Sequence, residues 1–362
     1  MKVFIPRIPW IVDFHGFFVK AFEGNRVEVA TNSRTFELSR TLHFFKLHQI
    51  TKIRNTEMQY LLKKYNESVL KDCVNEKPNV FLVFNESYLY PTTIKAIREQ
   101  CKCLMVCVLG DDPWDSTRYV ADFPHSLKYF DFIFNPETTW NVNLRKVAPN
   151  ALMYWHYAGF DPACYYPIDK NTLSQADIDL YTCDLSFTGS SYGFKAEGAY
   201  RSDVLSFVAD MDLKIWGDNN WPFRFRYLPE LRKNFMGTRL PLGELRKLYT
   251  LSKINLNLPA PQLATCFQPR TFEIAATKGF QIIDNRKSLR KLFNADEIVT
   301  FDTIPELREK AKYYSEHDNE RNEMAEKLYQ KVTQRFTWIQ WARHIVNILE
   351  HPKEFELLDD EC

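Results

Sequence analysis

Arg270 and Glu273 are the residues whose types and spacing point most directly to chemistry. They stand three apart in Arg270-Thr-Phe-Glu-Ile-Ala275, so a helix would carry both on one face. A helix start also offers free backbone N–H groups to an anion. Together these features suit a negatively charged, hydroxyl-rich ligand such as a nucleotide sugar. An ionised carboxylate can accept from two hydroxyls at once, and a planar guanidinium matches phosphate oxygens. Each residue also has a plain alternative. Glu273 would be favoured by the helix dipole alone, and Arg270 could brace the loop that enters the helix.

Other residues fall where ligands meet an open sheet. Gly189-Ser-Ser-Tyr-Gly193, followed by Lys195 and Arg201, reads as a strand-to-helix loop with two cations. Its glycines would let the backbone, with Ser190, approach a phosphate, and the cations would neutralise a leaving diphosphate. It has neither a GxGxxG fingerprint nor a P-loop lysine motif, so a flexible surface loop fits as well. Gly217 closes a strand over 213–216, and Asn257 ends one over 254–258, the usual ligand-facing edge.

Asp13 and His15 follow the first strand, and Asp111 and Asp112 follow a later one. Any of the four could act as a general base or stabilise an oxocarbenium-like transition state. Each could equally form a turn or cap, Asp112 before Pro113 above all. Trp10, Trp114 and Trp155 either stack on a sugar or pack, and His156 either faces a cleft or sits satisfied in the core.

The elements that must position these residues alternate in type. Strands are expected over 2–5, 27–30, 80–84, 103–108, 132–134 and 151–155, with helices over 55–74 and 91–100. Cys101, Cys103 and Cys107 would share one face of a strand as buried reduced thiols; no CxxC partner supports a metal site. The same rhythm repeats over 184–187, 213–216, 254–258, 280–283 and 297–301. The aromatic, Arg-rich stretch 219–240 reads as a long loop or insertion. Helices follow over 305–317 and 321–335, then 337–349 with its Trp338, Trp341, Ala342, Ile345 and Leu349 stripe. Strands alternating with helices imply parallel sheets. The fold class is therefore α/β, with two Rossmann-like domains and a cleft between them. The boundaries fall at 1–165, 166–335 and a final helix with acidic tail over 336–362.

Composition narrows the partners. At 362 residues the chain exceeds what one core usually organises. With 47 Lys+Arg against 46 Asp+Glu, no basic field exists to hold bulk nucleic acid. The N-terminus reads as a strand, with no signal peptide and no apolar run that would span a bilayer. A cytoplasmic protein is expected, with membrane association at most peripheral.

Five landmarks occur in order: Leu185-Ser-Phe-Thr-Gly189, Ile254-Asn-Leu-Asn257, Arg270-Thr-Phe-Glu-Ile-Ala275, Glu297-Ile-Val-Thr-Phe-Asp302 with Glu306-Leu307, and Glu320-Arg321 with Ala325. In order and spacing they resemble the group 1 glycosyltransferases of the GT-B fold, in the spore-maturation, CgeB-like branch. The resemblance covers most of residues 151–349; the N-terminal half matches only in pattern. It implies facing Rossmann domains, donor on the second, acceptor on the first, and a last helix that crosses back to the first. It also implies a hexosyltransferase-type enzyme of glycan biosynthesis that needs no metal. Its donor would be a UDP- or GDP-sugar, and its acceptor a hydroxyl on a glycan, a lipid-linked molecule or a protein. By the same resemblance Glu273 would meet the donor ribose, with Gly189, Ser190, Lys195, Arg201, Gly217, Asn257, Arg270 and Thr271 around the donor. Thr265 stands where many relatives carry a second glutamate, touching the sugar. That departure keeps open a non-catalytic binding or assembly protein with the same fold.

Overall fold

The computed structural model describes residues 1–7, 12–34, 51–84, 88–114, 123–192 and 197–357. The chain divides into two compact units, Met1–Tyr157 with Ile339–Cys362, and Ala158–Trp338.

The first unit holds a six-stranded sheet: β1 (Lys2–Phe4), β2 (Glu28–Ala30), β3 (Val80–Phe84), β4 (Leu104–Val108), β5 (Phe132–Asn135) and β6 (Leu152–Trp155), in the order β2-β1-β3-β4-β5-β6. Every pairing is parallel. Its inner strands are near-continuous apolar runs, Val80–Phe84 buried throughout, as a sheet covered on both faces requires. The order reverses between β1 and β3. The chain returns here at its end: Trp341, on the helix Trp338–Glu350, packs its ring 5.5 Å from Phe18 and 6.0 Å from Phe22. The last helix therefore crosses back to the first sheet.

The second unit repeats the plan with β7 (Cys183–Gly189), β8 (Leu213–Gly217), β9 (Phe235–Thr238), β10 (Ser252–Asn257), β11 (Gln281–Asp284) and β12 (Val299–Phe301). The order is β12-β11-β10-β7-β8-β9, again all parallel. The reversal falls between β7 and β10. The unit's two ends are tied together: Phe160 N donates to Phe336 O at 3.1 Å, and Trp338 N to Phe160 O at 3.0 Å. Gly159 permits this, because a Cβ there would lie 2.9 Å from Trp338 N.

Two sequence expectations are corrected. The stretch 219–240 is no loop: it holds a helix, Trp221–Arg224, a 3-10 turn, Pro229–Asn234, and the edge strand β9. That strand has no apolar run, contains Gly237 at φ 144°, and pairs through a register shift at Ile215/Trp216, so no strand pattern is visible in sequence. Cys101 is not on the strand of Cys107. It closes the helix Pro91–Cys101, whose cap Lys102 is left-handed at φ 48°, and β4 starts only at Leu104. Its Sγ lies 3.6 Å from Cys73 Sγ.

Candidate functional site

In an open parallel sheet the carboxyl ends of the strands flanking the order reversal form the crevice where ligands bind. In the second unit those strands are β7 and β10. The helix Arg270–Ala276, between β10 and β11, brings Arg270 and Glu273 to that edge. Its placement is fixed by a buried amide network. Asn257 Nδ2 donates to Thr271 Oγ1 and to Gln281 Oε1, each at 2.9 Å, and Gln281 Nε2 donates to Thr271 O at 2.8 Å.

Three side chains, Tyr165, Tyr249 and Thr188, stand around the charged pair. Tyr165 lies beside Glu273, and Tyr249 beside Arg270. Tyr249 OH then meets Thr188 Oγ1, at the end of β7, at 3.3 Å. Burial pushes the Glu273 carboxyl above its ordinary range, opposed by the Arg270 charge, the Tyr165 hydroxyl and the Arg239 charge. Burial also works against the Arg270 charge, but Tyr249 and Glu273 outweigh it and hold its pKa above the ordinary value. The Tyr165 phenol is pushed up by burial and then by the Glu273 charge, so it stays a donor. Arg270 Nε has no hydrogen-bond acceptor among the described residues.

The other expected donor residues divide by what they touch. Ser190 donates to Asp218, and Ser191 Oγ donates to its other oxygen at 2.7 Å, so Asp218 joins the loops after β7 and β8. Gly217 is required by packing: a Cβ there would fall 2.0 Å from Trp221 Nε1, which donates to Gly189 O at 3.0 Å. Arg201 is 2% exposed. It donates to Ser190 O at 3.1 Å and Leu258 O at 2.7 Å, and its guanidinium lies 4.9 Å from the Tyr192 ring. The expectation of a phosphate-facing cation is therefore corrected for Arg201: it braces the loops after β7 and β10. Asn257 and Thr271 are also internal, both 0% exposed. They hold the helix rather than face outward. Lys195 and Gly193 lie outside the described residues.

Sequence reasoning missed Tyr165, Tyr249 and Asp218. Tyr165 and Tyr166 straddle the boundary expected between the two domains, and Tyr166 stacks 3.8 Å from the Arg246 guanidinium. Asp218, directly after Gly217 at a strand end, carried the one available signal, a turn-forming carboxylate. Thr265, where the resemblance leads one to expect a carboxylate, offers none, and its carbonyl accepts from Ser288 N at 2.9 Å. Nearby in the chain, Asp284 accepts from Tyr200 OH at 2.8 Å and Arg286 Nη2 at 2.5 Å.

In the first unit, β1 and β3 flank the order reversal. His15 lies on the helix Val12–Glu23 that follows β1. Burial, then the charge of Arg7, lowers its pKa to about 4, so it is neutral near pH 7. Asp13 is on the same helix, with its side chain outside what is described, and Trp10 lies outside the described residues. Asp111 and Asp112 follow β4, and Asp112 Oδ1 accepts from Trp114 N at 2.9 Å, the turn-forming contact. Trp155 Nε1 donates to Pro136 O at 3.2 Å. His156 is a satisfied core histidine: its Nε2 meets Leu109 O at 2.9 Å and Trp341 Nε1 donates to its Nδ1 at 3.4 Å. Burial lowers its pKa to about 4. No helix among the described residues is long and apolar enough to cross a membrane.

The doubly repeated parallel sheet, each half with a strand-order reversal, is the plan of the GT-B class, and comparisons agree. A family described as "Glycosyl transferase-like" matches residues 201–347. Spore protein CgeB of Bacillus subtilis is 24% identical over 211 residues, spanning 53% of this chain and 63% of that protein. Sucrose-phosphate synthase from Thermosynechococcus elongatus superposes with a TM-score of 0.66 at 10% identity, covering 98% of this chain and 99% of that one. Anabaena HepE in complex with UDP-glucose gives 0.61 at 11% identity, covering 97% and 99%. The fold is GT-B, and over its second half the chain is similar to the glycosyl transferase-like family and, over 53% of its length, to CgeB.

Proposed function

We propose that this protein transfers a sugar from a nucleotide-sugar donor, held in the second unit around Arg270 and Glu273, to a hydroxyl acceptor, without a resident metal. One observation carries the reading: a carboxylate and a guanidinium, three residues apart, stand at the β7/β10 switch point. A carboxylate there accepts from ribose hydroxyls, and a low-dielectric surround strengthens each hydrogen bond. The likeness to a UDP-glucose complex favours a UDP-sugar as the first donor to try.

Thr265 favours a second reading, nucleotide binding without transfer, because the sugar end has no carboxylate at that position. Incubation with labelled UDP- and GDP-sugars, with and without EDTA, separates the two. Transfer or hydrolysis that persists in EDTA supports the first reading. Binding with no turnover of any donor supports the second. Loss of turnover in EDTA contradicts metal independence.

A further inference from the structure

Two thiols of the first unit meet across two helices. Cys73 lies on the helix Thr51–Glu76, and Cys101 is the last residue of the helix Pro91–Cys101. They are 28 residues apart in sequence, and their sulfurs stand 3.6 Å apart in hydrogen-bond contact. Cys73 is 0% exposed, whereas Cys101 is only half-buried and reaches solvent. Both helix ends are tied to the sheet. Arg98, one turn before Cys101, pairs with Asp131 Oδ2 at 2.5 Å, and Met105 N donates to the same oxygen at 2.9 Å. Glu76, one turn after Cys73, pairs with Lys2 Nζ at 2.7 Å. A disulfide needs the sulfurs to close to about 2.05 Å, a movement that rotation about the two Cα–Cβ bonds can supply.

We propose that Cys73 and Cys101 are a thiol modification site, an oxidisable pair that a small disulfide such as oxidised glutathione converts to a reversible disulfide joining the two helices. The half-exposed Cys101 reacts first. Its thiolate attacks one sulfur of the small disulfide and expels one small thiol. Cys73, already in contact, then loses its proton and attacks the Cys101 sulfur of the mixed disulfide, expelling the second. Two protein thiols are oxidised, and one small disulfide is reduced to two thiols. Burial pushes both protein thiols up, and the contact between them then raises Cys73 and lowers Cys101, in keeping with that order. The closed loop restricts the unfolded chain, so the oxidised protein gains stability. None of this depends on the donor reading.

The test incubates the full chain with oxidised glutathione, alkylates the remaining thiols in denaturant, and maps tryptic peptides by mass spectrometry without reductant. Trypsin cuts after Lys71, Lys95, Arg98 and Lys102, so Cys73, Cys101 and Cys103 fall on separate peptides. The expected product is one linkage, Cys73 to Cys101, kept in Cys103→Ser and lost in Cys101→Ser. The linked protein should melt roughly 5–10 °C above the reduced one, and dithiothreitol should reverse the shift. Both thiols alkylated, glutathione left on Cys101 with Cys73 alkylated, or a linkage through Cys103 instead would each overturn the proposal. A linked protein that melts no higher than the reduced one would overturn it too.

Discussion

Tyr165 and Glu273, more than a hundred residues apart in sequence, are brought together in the second unit, where burial and then the Glu273 charge hold the Tyr165 phenol above its ordinary range. Burial would drive that carboxyl towards its neutral form. The Arg270 charge, the Tyr165 hydroxyl and the Arg239 charge oppose this, so the carboxylate is set by desolvation against these three neighbours.

The brace role of Arg201 has a consequence that separates it from a phosphate ligand. Lysine cannot reach both Ser190 O and Leu258 O with one planar group, so Arg201→Lys should destabilise the protein by about 2 kcal/mol. Urea denaturation reads this. An unchanged midpoint together with a large loss of nucleotide affinity would return Arg201 to the ligand.

Gly217 should tolerate no side chain. Gly217→Ala would press on Trp221 Nε1 and Gly189 O, the latter 2.4 Å from the added atom, at a cost of about 1–3 kcal/mol. Gly243, in the helix Leu242–Leu251, has nothing within 4 Å of an added Cβ. Gly243→Ala should leave the unfolding midpoint unchanged or raise it. Equal effects at the two positions would count against the described packing.

Acid should cost stability through His156. Its folded pKa, about 4, is depressed by burial below the ordinary 6.5. The stability from its neutral form is thus fully present above about pH 6.5 and is lost as pH falls through 4, to a limit of roughly 3 kcal/mol. Melting curves of wild type and His156→Gln between these pH values should converge on acidification. Parallel curves would mean that His156 does not titrate in this way.

The sheets were legible in sequence where apolar runs are long. Val80–Phe84 is buried on both faces, and its composition announces it. Strand β9 was not legible, because an edge strand with a glycine and a register shift needs no such run. In the candidate site, the spacing of Arg270 and Glu273 places both on one helix, Arg270–Ala276, as the structure has them. The inward orientation of Asn257 and Thr271 was not legible, since a position at a strand's end does not say which side the amide faces. Arg201 was misjudged for a related reason. Arginine is seldom fully buried, and only the carbonyls of Ser190 and Leu258, contributed by two separate loops, make it so here. Tyr165 was invisible because its partner is set by tertiary contact, not by local pattern.

Calorimetric titration of UDP-glucose into wild type and Glu273→Gln tests the central claim most directly. An amide of the same shape keeps the packing but loses the charged acceptor, a difference of about 1.5–3 kcal/mol, or roughly tenfold to a hundredfold in affinity. Wild-type binding with that loss in the variant is the predicted result. Equal binding by the two proteins, with the variant folded, would contradict the assignment of Glu273 to the donor.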